Sequence, residues 1–148
     1  MEKRPYINKS YVRTRNQKRV MDQIDEEGVC PFCGPNLERF HGKSSVKKSK
    51  HWSLLESKWP YKKTRIHLLF VAKKHMEHIE DLSATSWSDL LQMAKWSIKK
   101  YKLKGGAFAI RFGDSNLTGA TVHHLHAHLI EPETDRKGMG EVVNFPIG

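Results

Sequence analysis

At 148 residues, with 38% apolar side chains and four tryptophans, the chain has enough apolar material for one folded domain and too much for wholesale disorder. Its 26 Lys and Arg against 16 Asp and Glu leave a formal charge of +10, which favours phosphorylated, anionic partners. The longest apolar stretch, residues 68–72, is far too short to cross a bilayer, and the N-terminus lacks an apolar signal core, so no membrane partner and a cytoplasmic location are expected.

Residues 1–20 carry Lys3, Arg4, Lys9, Arg13, Arg15, Lys18 and Arg19 against Glu2 alone, and their apolar residues follow no sustained period. The expectation is a basic, flexible extension over 1–20, with helical turns from Asn16 onward, followed by a single domain over 21–148. Cys30-Pro31-Phe32-Cys33-Gly34-Pro35 reads as a turn, and the Ser/Lys-rich stretch 42–50 as an exposed loop. Residues 52–56 form a short expected strand, followed by a turn at Trp59-Pro60-Tyr61. A nearly continuous apolar run marks residues 66–72 as a buried strand.

Ser83 or Thr85 then caps an expected helix, with Trp87, Leu90, Leu91, Ala94, Ile98 and Tyr101 at helical spacing. Lys99, Lys100, Lys102 and Lys104 gather where the helix dipole favours cations, and Gly105-Gly106 is the expected stop. Strands are expected over 107–112 and 122–130, separated by a loop over 113–119. Pro132 ends the pairing, and a last edge strand is expected over 141–147. Strands without regular crossover helices predict an α+β fold with a mainly antiparallel sheet.

The most informative run is Thr121-Val122-His123-His124-Leu125-His126-Ala127-His128-Leu129-Ile130. Histidines at 124, 126 and 128 alternate with apolar residues, so a strand would place the three imidazoles on one face. Clustered imidazoles pack poorly but suit phosphate chemistry or a metal. The run resembles the signature of the histidine triad family of nucleotide hydrolases and transferases, His-φ-His-φ-His-φ-φ with φ apolar. Upstream, Ile66-His67-Leu68-Leu69-Phe70-Val71-Ala72-Lys73-Lys74-His75 is similar to the family's histidine-led strand.

That resemblance implies a HIT-like antiparallel sheet of about five strands, with one long helix and a shorter N-terminal helix, pairing as a homodimer. It implies that His126 attacks the α-phosphorus of a nucleotide to form a nucleotidyl-His126 intermediate, with His128 assisting the leaving group. His67 and Thr121 would orient the triad and the phosphate. The loop over 113–119, with Asn116 and Gly119, would bring polar groups to the phosphates. Trp59 and Tyr61, in a segment similar to that of the diadenosine tetraphosphate phosphorylase-like branch, would line the nucleoside pocket. Two positions depart from the family pattern: Ala120 stands where some dinucleoside polyphosphate hydrolases have a glutamine, and Ala72 where many members have a proline.

With two cysteines in the chain, Cys30-Pro31-Phe32-Cys33 suggests a metal knuckle or a redox pair, and any tetrahedral zinc site needs two histidines besides. The resemblance implies a structural zinc held by Cys30, Cys33, His75 and His124. His78 and His123 are rival ligands. The expected partner is a nucleotide or dinucleoside polyphosphate. Alternatives are a nucleic-acid end-processing role through the basic tail and a nucleotide-binding module without turnover.

Overall fold

The computed structural model describes residues 5–148, so Lys3 and Arg4 of the expected extension lie outside the described residues. Its centre is an antiparallel sheet in the order β1-β2-β3-β5-β4, built from β1 (Lys47–Lys48), β2 (Trp52–Glu56), β3 (Thr64–Ala72), β4 (Ala107–Ile110) and β5 (His126–Pro132). Four helices surround it: α1 (Arg15–Glu27), α2 (Asn36–His41), α3 (Ala84–Lys100) and the single turn α4 (Ser115–Thr118). The α+β architecture is therefore the expected one.

Period-two alternation assigns every strand side chain to one of two faces. Trp52, Leu54, Leu68, Phe70, Ala72, Ala127 and Leu129 pack on one side against Leu90 and Met93 of α3. Trp52 is fully buried and its Nε1–H donates to the Ser86 carbonyl at 2.8 Å, pinning β2 to the helix. On the opposite side Leu55, Leu69 and Val71 meet Leu37 of α2 and Phe32. Both faces of β3 are covered, which is why its sequence is continuously apolar rather than alternating. The pairing of β3 with β5 sets Leu69 opposite His128 and Val71 opposite His126, so the histidines share the α2 side of the sheet.

Several boundaries differ from the sequence reading. Residue 20 falls inside α1, and some of the described residues before it contact the domain. Ile7 is buried, bridges Val122 and belongs to a cluster with Met21, Ile24 and Phe40. Lys9 pairs with Asp25 and Lys18 with Asp22, both at 2.8 Å, so part of the basic segment's charge is matched locally. The helix α3, capped by the Ser83 hydroxyl, stops at Lys100; the chain turns with a positive φ of 52° at Lys102, before the glycines. The segment 113–119 contains α4, capped by Asp114.

The strand expected over 122–130 begins only at His126. Ahead of it, the His123 and Leu125 amides donate to Tyr6 and Met76 carbonyls, outside the sheet. Residues 141–147 form no strand; the Pro146 carbonyl is taken by the Arg111 side chain instead of a ladder partner. Gly106 has another use than stopping a helix. A Cβ there would lie 2.0 Å from the Ile130 carbonyl oxygen, so only glycine lets β4 reach β5. Gly106→Ala is expected to cost about 2–3 kcal/mol of stability, read from the midpoint of denaturant unfolding. Among the described residues, no helix is long and apolar enough to cross a membrane.

Candidate functional site

The histidines of β3 and β5 form a connected set whose tautomers follow from their partners. The Tyr61 amide donates to Nδ1 of His67 at 3.1 Å, and an amide can only donate. A neutral His67 therefore carries its proton on Nε2, which lies 2.9 Å from Nδ1 of His128. That contact makes Nδ1 of His128 an acceptor and leaves the proton of a neutral His128 on Nε2. His126 is oriented separately: its Nδ1–H donates to the His124 carbonyl at 2.7 Å, so Nε2 keeps a free lone pair. The rings of His126 and His128 lie 5.0 Å apart.

Burial, above all, keeps these rings neutral. It lowers His67 and His126 to about 4, with the Arg111 charge adding to the effect in both, and drives His128 well below its usual value. For His67 the folded value of about 4 lies below the ordinary histidine value of 6.5, so the unfolded chain binds more protons between them. The stability His67 contributes is full above pH 6.5 and is lost as pH falls toward 4. Between those limits His67→Gln is expected to remove roughly one proton's worth of the slope of unfolding free energy against pH, read from denaturant titrations at several pH values.

A cavity of about 360 Å³ opens over these rings, lined by His67, His126, His128, Trp59, Tyr61, Gly119 and Thr121. Its wall also includes Arg111, Phe32, and Ser10 to Arg13 of the N-terminal segment. Tyr61 stacks nearly parallel to His128 at 6.0 Å, and its hydroxyl accepts from Arg111 at 2.8 Å. The buried Trp59 Nε1–H has no hydrogen-bond partner among the described residues. Gly119 closes α4 with a φ of 74°, the left-handed conformation that glycine adopts without strain.

Beside the cavity, Cys30, Cys33, His75 and His124 bring their donor atoms within 4.8 Å of one another. The His124 Nδ1 lies 3.4 Å from the Cys30 sulfur and 3.5 Å from that of Cys33. The His75 Nδ1 lies 3.3 Å from the Cys33 sulfur and 3.2 Å from the His124 Nδ1. Tetrahedral zinc, with bonds of about 2.3 Å to sulfur and about 2.0 Å to nitrogen, gives S···N edges of about 3.5 Å and N···N edges of about 3.3 Å. The donor set fits that ion. The His124 Nε2–H donates to the Ala72 carbonyl at 2.6 Å, which turns its Nδ1 lone pair toward the cluster. Four protein donors leave no position for a substrate.

A model of the HIT domain matches residues 45–135. The chain belongs to the HIT family. Among solved structures it is similar to a HIT family hydrolase from Legionella pneumophila Philadelphia 1, with 23% identity over 61% of this chain and 83% of that one and a TM-score of 0.51. It is similar to a hypothetical protein from Leishmania major, with 19% identity over 71% of this chain and 73% of that one and a TM-score of 0.51. A histidine triad protein from Clostridium difficile gives 19% identity over 63% and 83% of the two chains and a TM-score of 0.50. These likenesses show the fold. No curated protein matches the sequence.

Within this HIT chain the structure brings together His67, His126, His128, Thr121, Gly119, Trp59 and Tyr61 at one cavity, and the two cysteines with His75 and His124 beside it. Asn116 is not brought in. Its side-chain oxygen accepts from Asn8 at 3.3 Å and its carbonyl from the Tyr11 hydroxyl at 3.2 Å, so it anchors the N-terminal segment. Of the rival metal ligands, His78 lies outside the cluster, 3.9 Å from Glu80, and His123 contacts the Pro5 carbonyl and the Ser115 hydroxyl. Sequence reasoning passed over Arg111 and Arg13. Arg111 had a signal: it sits two residues beyond Ala109, which pairs with His128, so alternation carries it to the histidine face.

Proposed function

We propose that the chain is a nucleotidyl hydrolase or transferase acting on a nucleotide phosphoanhydride or ester, a dinucleoside polyphosphate or similar. The observation that carries this reading is the free Nε2 lone pair of His126, aimed by the His124 carbonyl and placed on the wall of a cavity beside a second imidazole that presents an N–H. A neutral imidazole is a competent nucleophile, and its phosphoryl adduct stays reactive enough to pass the group on.

In the first step the His126 Nε2 forms a bond to the α-phosphorus, the bond from phosphorus to the bridging oxygen breaks, and the leaving group departs with the electron pair. His128 hydrogen-bonds that oxygen through Nε2–H, with His67 holding its tautomer. In the second step water or another acceptor forms the new P–O bond, the P–N bond breaks, and His126 is regenerated as a proton is released to solvent. Thr121 and the backbone near Gly119 would hold non-bridging oxygens, and Trp59 with Tyr61 would line the nucleoside side of the cavity.

Cys30, Cys33, His75 and His124 would hold a zinc ion whose contribution is structural. It would clip the turn between α1 and α2 to the segments after β3 and before β5. The function is tested by incubating the protein with diadenosine tetraphosphate, with and without inorganic phosphate. Transfer to water releases a nucleoside monophosphate, and transfer to phosphate releases a nucleoside diphosphate. No release from this or other nucleotide esters and anhydrides would overturn the reading.

A further inference from the structure

We propose that Arg13 and Arg111 form a second anion-binding locus beside the triad, one that takes the phosphate chain of the leaving group. The inference rests on the nucleotidyl-transfer reading and adds a subsite to it. Arg111 is 9% exposed, and neither guanidinium has a carboxylate within 4.0 Å among the described residues. Two other arginines do have carboxylate partners: Arg39 meets Glu27 at 2.7 Å, and Arg65 pairs with Glu131. The buried Arg111 charge is costly without an anion beside it, and the Arg13 charge on the same cavity adds repulsion.

Both guanidiniums address the same aromatic ring. The Arg13 carbon lies 4.4 Å from the centroid of Tyr61 and that of Arg111 5.9 Å. Arg13 is held at the cavity mouth by its bond to the Trp59 carbonyl at 2.9 Å and by the Gln17 side chain, which accepts from its amide at 2.9 Å. Arg111 spends Nε and Nη2 on the Pro146 carbonyl, at 2.9 and 2.7 Å, and Nη2 also on the Tyr61 hydroxyl. That fixes the plane of the guanidinium and leaves Nη1 directed at His128.

Nη1 of Arg111 lies 3.4 Å from Nε2 of His128. The Tyr61–His67–His128 chain places a hydrogen on that nitrogen, so two donors face each other across one gap. An anionic oxygen between them would satisfy both. The same chain limits how His128 can help the leaving group. Its Nδ1 is occupied by the His67 N–H, and His67 in turn by an amide that cannot surrender a proton, so His128 offers a hydrogen bond rather than a proton. The leaving group must then depart as a stable anion with negative charge close by, as a phosphate chain does and an amine does not. The bond changes balance without proton transfer: P–N forms, P–O breaks, and the electron pair remains on the departing phosphate oxygen.

The test titrates inorganic tripolyphosphate calorimetrically, at fixed ionic strength, into wild type, Arg13→Gln, Arg111→Gln and the remote Lys99→Gln. Each arginine variant is expected to weaken binding about tenfold or more, and Lys99→Gln to leave it unchanged. In turnover, Arg13→Gln should lose at least about tenfold in kcat/KM on diadenosine tetraphosphate but less than about threefold on a nucleoside monophosphate p-nitrophenyl ester, whose leaving anion carries no phosphate. Equal losses on both substrates, or unchanged tripolyphosphate binding, would overturn the proposal. Arg13 is exposed, so its variant decides the matter even where Arg111→Gln fails to fold. If wild type turns over neither substrate, the nucleotidyl-transfer reading fails and the tripolyphosphate titration alone decides the anion locus.

Discussion

His126→Ala is expected to lower turnover of nucleotide substrates by about four orders of magnitude or more, because neither other triad imidazole can take over the attack. The His128 Nε2 carries a hydrogen, imposed through His67 by the Tyr61 amide. The His124 Nδ1 is turned into the cysteine cluster by the Ala72 carbonyl, and its distance to the His75 Nδ1 is only 3.2 Å. Of the triad imidazoles, only His126 presents a ring-nitrogen lone pair to the cavity. Removing its ring leaves a void beside Phe32, whose ring centre lies 5.1 Å away, so a modest loss of stability accompanies the substitution. Circular dichroism and thermal melting separate the two effects. Mass spectrometry of acid-sensitive adducts should find nucleotide attached to wild type during turnover and none on the variant. Turnover by His126→Ala within about tenfold of wild type would exclude His126 as the nucleophile.

The second large effect concerns the clip. Protein purified without added zinc is expected to contain close to one zinc per chain. Cys33→Ser, at the more exposed of the two thiols, should bring that value near zero and lower the melting temperature by about 10 °C or more. The size follows from where the ligands sit. Cys30 and Cys33 lie between α1 and α2, His75 follows β3, and His124 precedes β5, so one ion would close loops of 42 and 91 residues from Cys33. Strong chelation of wild type should reproduce the drop. A protein that binds no metal and melts alike with and without chelator would remove the zinc assignment.

What could be read in the sequence was what short-range periodicity encodes. The apolar run at 66–72, the helical spacing after Ser83 and the alternating histidines each declare an element within a few residues. The cysteine–histidine set was legible because few residue types can ligate zinc and the resemblance supplied their order. The N-terminal segment was opaque because its stabilisation is remote: Ile7 bridges Val122, and Asn8 reaches Ser115 and Asn116. Nothing within residues 5–14 reports those contacts. The expected strand over 141–147 failed for a related reason, since its alternation is real but the Pro146 carbonyl answers to a guanidinium rather than a neighbouring strand. Arg111 was passed over as one more cation in a basic chain, although its register placed it among the histidines.

The pairing of Leu69 with His128 and Val71 with His126 ties chemistry to topology in one further way. Sliding β5 by a single residue would exchange its two sides, sending His126 and His128 under α3 and lifting Ala127 and Leu129 into the cavity. Such a misaligned isomer would keep nearly all its secondary structure, yet it would bury two unpartnered imidazoles and offer a substrate only methyl groups. Recovered activity after refolding is thus a measure of correct strand alignment, a quantity to which far-ultraviolet spectroscopy is nearly blind.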